Sequence, residues 1–126
     1  MNGRAPIGRR RWAVSAGSAP SRATGPEPEM GSFDLLCLLN AGDAVANVRM
    51  RVLYAEHGEP EIYRLAVAPR RVRHLRVNDL IFPEAVRLDT PYGLLLDSDV
   101  PVVVQFGRQD TRQAQNAGLL ATAWAG

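Results

Sequence analysis

The chain of 126 residues is 46% hydrophobic and 22% charged, which is typical of one compact globular domain. This composition excludes an intrinsically disordered chain, and the length excludes two substantial domains. The net charge is +2, but residues 1–24 hold five arginines and no acidic residue, whereas the remainder holds ten arginines against thirteen acidic residues. We predict a loose N-terminal arm over residues 1–6 and one domain over residues 7–126.

The N-terminal segment imitates a secretory signal without meeting its requirements. Arg9, Arg10 and Arg11 precede an apolar stretch of about five residues, shorter than the roughly 7 to 15 of a signal core. No segment approaches the roughly 20 apolar residues of a membrane span. The single cysteine, Cys37, cannot form an intrachain disulfide, which fits a reducing compartment. We expect a cytoplasmic protein without membrane insertion, in which Cys37 is a buried, inert thiol.

The first third of the chain predicts two strands separated by an extended loop. Residues 12–16 predict a short strand, and the two prolines within residues 25–29 exclude a helix there. Residues 33–39 are continuously apolar apart from Asp34, which is the pattern of a strand covered on both faces. Residues 40–43 supply the turn that ends it.

Two alternating strands come next, on either side of a turn at residues 57–60. Apolar residues at every second position predict one buried face and one wet face. In the first strand these residues are Val48, Met50, Val52 and Tyr54, and in the second they are Tyr63, Leu65 and Val67. Residues 70–77 then predict an unusually basic strand.

The last third predicts three more strands after a longer connection at residues 78–83. Residues 92–96 and 102–106 are the first two, with Pro101 at a strand start, where proline is tolerated. Residues 117–125 are rich in alanine, but their glycine, threonine and tryptophan favour a final strand over a helix. Short strands at intervals of roughly 8 to 12 residues predict an all-β fold, a single-domain antiparallel β-sandwich or jelly roll.

Five polar or proline-containing blocks stand out within this pattern. They are Gly25-Pro26-Glu27-Pro28-Glu29; Leu39-Asn40-Ala41-Gly42-Asp43; Tyr63-Arg64-Leu65 leading into residues 70–80; residues 97–105; and Arg108-Gln109-Asp110-Thr111-Arg112-Gln113. One such block would carry little weight, but five in the same order are specific. Over about residues 7–123 the chain resembles the sensory rhodopsin transducer family, a soluble cyanobacterial transducer and its bacterial relatives.

The resemblance implies an all-β sandwich that assembles as a homo-oligomer, a tetramer. It also implies a non-enzymatic cytoplasmic module that passes on the signal of a membrane photoreceptor or binds a small molecule such as a sugar. DNA binding, as a transcriptional regulator, is the alternative. The family commonly has histidines where this chain has Phe33 and Phe106, so two polar pocket positions have become apolar.

Ten residues are the candidate ligand-binding set. Planar polar side chains and an aromatic surface suit sugar recognition, whereas the rival interpretation is a buried polar network or a subunit contact. The set is Trp12, Glu27, His74, Arg76, Asn78, Asp79, Gln105, Arg108, Asp110 and Arg112. Enzyme motifs are missing, so we predict no catalytic residue and no cofactor. With only two histidines, His57 and His74, a histidine-based metal site is not expected.

The basic strand supports the DNA-binding alternative through Arg70, Arg71, Arg73 and Arg76. Strand alternation sends Arg71 and Arg73 to one face and Arg70, His74 and Arg76 to the other, which makes a poor continuous footprint. The competing interpretations are an edge strand that its charges keep soluble, and ion pairs across the sheet with Glu27, Glu29 and Asp110.

Overall fold

The computed structural model describes residues 4–19, 32–56, 60–110 and 117–126, and of residues 110 and 117–122 it describes the backbone only. Its strands are β1 (Arg9–Gly17), β2 (Phe33–Asn40), β3 (Ala46–Tyr54), β4 (Ile62–Val67), β5 (Arg71–Arg76), β6 (Tyr92–Asp110), β7 (Ala117–Thr122) and β8 (Trp124–Ala125). A 3-10 turn, Val77–Asp79, follows β5. The predicted loop at residues 25–29 and most of the turn at residues 57–60 lie outside the described residues.

Two antiparallel sheets share the long strand β6. Sheet A has the order β4-β3-β6-β1-β8 and uses the first half of β6. Sheet B has the order β5-β2-β6-β7 and uses the second half. The prediction of an all-β antiparallel sandwich is therefore confirmed. No helix in the described part of the chain is long and apolar enough to cross a membrane.

The core lies between the two sheets and follows the predicted alternation. Val48, Met50 and Val52 of β3 are buried, and so are Tyr63, Leu65 and Val67 of β4. Sheet B closes the core with Leu36 and Leu38 of β2 and with Val104 and Phe106 of β6. Alternation predicts these positions well because each strand has one dry and one wet face.

The prediction of two strands at residues 92–96 and 102–106 is wrong, because β6 is one strand of 19 residues. Arg9 pairs with Val102 but Arg11 pairs with Asp97, so the register is irregular between those two points of β6. Pro101 lies within this irregularity, where a missing N–H breaks no regular ladder. The same stretch carries β6 from sheet A into sheet B.

The tail is extended, as predicted, but it divides between the two sheets. β7 pairs with β6 in sheet B, and β8 pairs with β1 in sheet A. Ala123, which lies between them, is buried.

The prediction that β2 is covered on both faces is wrong for this chain on its own. Leu36 and Leu38 are buried, whereas Leu35 and Cys37 are half-buried and Leu39 is 40% exposed. Among the described residues no second layer lies over the outer face of β2, so this side of the apolar run is covered only in part.

Candidate functional site

A buried carboxylate joins the ends of β1, β2 and β6. Asp34, the second residue of β2, is 0% exposed. Its Oδ1 accepts a hydrogen bond from Nε of Arg108 at 2.7 Å, and its Oδ2 accepts from the Tyr92 hydroxyl at 2.6 Å and from the backbone N–H of Ser18 at 2.9 Å. A buried charge needs such partners, because it has lost its water. We call Asp34, Asn78, Tyr92 and Arg108 the Asp34 cluster.

Two further contacts tie neighbouring elements to this cluster. The backbone N–H of Asp34 donates to Oδ1 of Asn78 at 3.0 Å, which links the 3-10 turn to β2. Nη2 of Arg108 donates to the backbone carbonyl of Ala16 at 2.6 Å, which links β6 to β1. Beside the cluster, the guanidinium of Arg76 lies 4.3 Å from the centroid of the Phe33 ring. The cluster therefore fixes four elements at one end of the sandwich.

Burial raises the pKa values of one tyrosine in the Asp34 cluster and of the cysteine on β2. Burial, followed by the charge and hydrogen bond of Asp34, raises the pKa of Tyr92, so its hydroxyl remains a donor. Burial also raises the pKa of the Cys37 thiol, although Cys37 is half-buried and not fully buried as predicted. Of the described residues, no three His, Cys, Asp or Glu side chains are grouped so that they could hold a metal ion.

The predicted ligand-binding residues fall into separate places. Arg108 and Asn78 belong to the Asp34 cluster and Arg76 lies beside it, while Asp79 is exposed at the end of the 3-10 turn. His74 and Gln105 flank Cys37 on the outer face of sheet B. The structure thus brings Arg76, Asn78 and Arg108 together at one end of the sandwich.

Of the remaining members of the predicted set, only Trp12 is described with its side chain. Trp12 belongs to sheet A, and its indole N–H donates to the carbonyls of Arg9 and Val102, both at 3.0 Å. Glu27 and Arg112 lie outside the described residues, and Asp110 is described by its backbone alone.

Sequence reasoning missed Asp34 and Tyr92, which are central to the cluster. The available signal was Asp34 itself, since a lone acid within the apolar run of residues 33–39 requires a buried partner. The two departures from the family pattern also become clear. Phe106 is a core residue with 0% exposure, and Phe33 supplies the ring beneath Arg76.

The basic strand is divided, as alternation predicts, but Arg70 belongs to the preceding turn. Arg70 has a φ of 55° and pairs with Asp43 at 2.7 Å, so it lies on neither strand face. Arg73 donates to the carbonyl of Ala66 at 2.9 Å across the seam between β5 and β4. β5 is an edge strand, and its arginines do not form one continuous surface for a nucleic acid backbone.

Comparison with known proteins gives a consistent result. Residues 7–125 match the protein family described as Anabaena sensory rhodopsin transducer. The chain is similar to the solved structure of the Anabaena sensory rhodopsin transducer, with 40% identity, coverage of 82% of this chain and 97% of that chain, and a TM-score of 0.71. It is also similar to the crystal structure of Thermotoga maritima 1070, with 28% identity, coverage of 95% and 97%, and a TM-score of 0.82. No curated protein matches by sequence.

Proposed function

We propose that this chain, which belongs to the Anabaena sensory rhodopsin transducer family, is a cytoplasmic signalling module that binds a membrane photoreceptor and passes on its state. The observation that carries the proposal is the family match over residues 7–125, which spans both sheets rather than one local motif. The 40% identity to the Anabaena transducer supports it.

A signalling role agrees with the chemistry of the site. The Asp34 cluster links strand ends together, and burial raises the pKa values of the Tyr92 hydroxyl and the Cys37 thiol. Such a domain acts through the surfaces that it presents. A receptor signal is passed on when the two states of the receptor bind the module with different affinities.

The proposal includes assembly into a homotetramer. Supporting it is an apolar stretch on the outer face of sheet B, formed by Phe33, Leu35, Cys37, Leu39, Val72 and Val103. Val72 is 56% exposed and pairs directly with Leu39. Contiguous apolar surface on a soluble domain marks a contact site, and identical chains use such a patch on both partners. We call this set the apolar face.

Binding to the photoreceptor is tested with the full-length receptor of the same organism in lipid nanodiscs. We expect the full chain to bind the receptor with affinities that differ between darkness and illumination, because only a difference in affinity transmits a state. The measurement is surface plasmon resonance on the same immobilised nanodiscs in darkness and in light.

Empty nanodiscs and an unrelated helical membrane protein are the controls. Binding that is equal to all three surfaces, or receptor binding that is identical in darkness and light, would contradict the proposed function.

A further inference from the structure

Four charged residues form one row across the outer face of sheet A. Arg64 of β4 pairs with Arg49 of β3, Arg49 pairs with Asp97 of β6, and Asp97 pairs with Arg11 of β1. Directly opposed residues on antiparallel strands share a face, with Cβ atoms about 4.5–5.5 Å apart. The row therefore ends in two adjacent arginines.

The neighbouring acids are already engaged. Oδ1 of Asp97 accepts from Nε of Arg11 at 3.0 Å, and its Oδ2 faces Nη1 of Arg51 at 3.4 Å. Asp99 accepts from the backbone N–H and the side-chain amide of Asn47, at 2.8 Å and 2.9 Å, and these hydrogen bonds lower the pKa of Asp99. Within the described part of the chain, Arg49 and Arg64 form no ion pair.

A hollow opens over the arginine pair. It has a volume of about 300 Å³ and is lined by Asn47, Arg49, Arg64, Asp97, Ser98 and Asp99. Like charges directly opposite on a sheet are destabilising, and an anion between them would relieve that cost. Guanidinium groups present donors in a planar fork that matches the oxygens of phosphate. Both arginines are exposed, so a ligand from solution can reach them.

We propose that Arg49 and Arg64 form a binding site for one phosphate group, either free phosphate or the monoester end of a small phosphorylated molecule. The flanking carboxylates of Asp97 and Asp99 limit the site to one such group, because further phosphates of a polyanion would be repelled there. Asn47 and Ser98 complete the lining of the hollow. The site does not depend on the proposed function, since a photoreceptor plays no part in it.

The test is thermal unfolding and calorimetric titration with inorganic phosphate and with ribose 5-phosphate, against chloride at matched ionic strength. We expect both phosphates to raise the Tm of the wild-type chain. Arg49→Gln and Arg64→Gln should each weaken binding by about tenfold or more, because each removes charged hydrogen bonds to the ligand. Arg71→Gln, at an exposed arginine of β5 in the other sheet, should bind as the wild type does.

Further measurements test the repulsion between the two arginines and identify the ligand. Without ligand, Arg64→Gln should unfold at the wild-type Tm or above it, since the repulsion with Arg49 is gone. Tighter binding of ribose 5-phosphate than of inorganic phosphate would identify an ester as the ligand, and equal binding would identify the free ion. The proposal is overturned if neither phosphate stabilises the wild type, or if both stabilise Arg64→Gln equally well.

Discussion

Asp34 is the one charged residue of the apolar strand β2, and its ion pair with Arg108 contributes to the stability of the fold. Its carboxylate has lost all contact with water, and Arg108, with a side chain that is 20% exposed, is its one charged donor among the described residues. Breaking a buried ion pair by removing one partner costs about 3–5 kcal/mol. Arg108→Met should therefore lower the free energy of unfolding by about that amount, as measured by urea denaturation.

Matched substitutions separate this pair from the general loss of an arginine. Arg71→Met, at an exposed position, should change the free energy of unfolding by no more than about 0.5 kcal/mol. Tyr92→Phe removes a neutral donor from Asp34 and should cost about 1–3 kcal/mol. Equal effects of Arg108→Met and Arg71→Met would show that the buried pair contributes nothing special.

The pKa of Tyr63 predicts how the free energy of unfolding changes in alkaline solution. Burial raises the pKa of Tyr63 from 10.0 to about 12, and its hydroxyl donates to the carbonyl of Glu84 at 2.6 Å. Above the pKa of the unfolded chain, the unfolded state releases this proton and the folded state keeps it. The stability that Tyr63 contributes is therefore present below about pH 10 and is lost as the pH rises towards 12.

Urea denaturation between pH 8 and pH 12, combined with tyrosinate absorbance, would measure this loss. Tyr63→Phe should be less stable at neutral pH, because it lacks the hydrogen bond to Glu84, and its stability should fall less steeply in alkali. A wild-type stability that stays constant up to pH 12 would contradict the burial of this hydroxyl.

At the scale of strands, local alternation predicted β3 and β4 because each has one dry and one wet face. The sequence did not predict β6 as one strand, because proline is rarely found inside a regular strand. Pro101 is accommodated here because the register is irregular where β6 passes from sheet A into sheet B. The apolar run of β2 predicted that both faces of this strand are covered. Such a run indicates that the side chains need burial, but it does not indicate how many layers one chain provides. The local sequence pattern predicts neither the change of sheet within β6 nor the layers that cover β2.

The candidate site was predictable only where the signal was local. The polar residues Arg76, Asn78 and Arg108 do meet at one end of the sandwich, whereas Trp12 lies in sheet A with its indole N–H committed to backbone carbonyls. Asp34 and Arg108 are 74 residues apart, so their pairing follows from strand register and not from spacing. The sequence therefore indicates that a polar residue such as Asp34 needs a partner, but only the fold shows that Arg108 is that partner.

At the scale of the whole molecule, the two sheets turn different surfaces outwards. The outer face of sheet A carries arginines and aspartates around an open hollow, and the apolar face of sheet B carries leucines and valines. This division permits assembly through sheet B while sheet A stays open to solvent. In the proposed assembly, a second copy would cover the outer face of β2, which is also apolar.

Leu39 and Leu53 provide a matched pair for testing this assembly, because each is 40% exposed and lies on a strand, Leu39 in sheet B and Leu53 in sheet A. An aspartate at position 39 would place a charge in the proposed contact, where desolvation is costly, whereas at position 53 it would stay in water. We expect light scattering after size exclusion to give a tetramer for the wild type and for Leu53→Asp, and a smaller species for Leu39→Asp.

The Tm of the wild type should also rise with protein concentration, and that of Leu39→Asp should not. A tetramer that persists in Leu39→Asp, or a wild type that is monomeric, would show that the apolar face is not where copies of this chain meet.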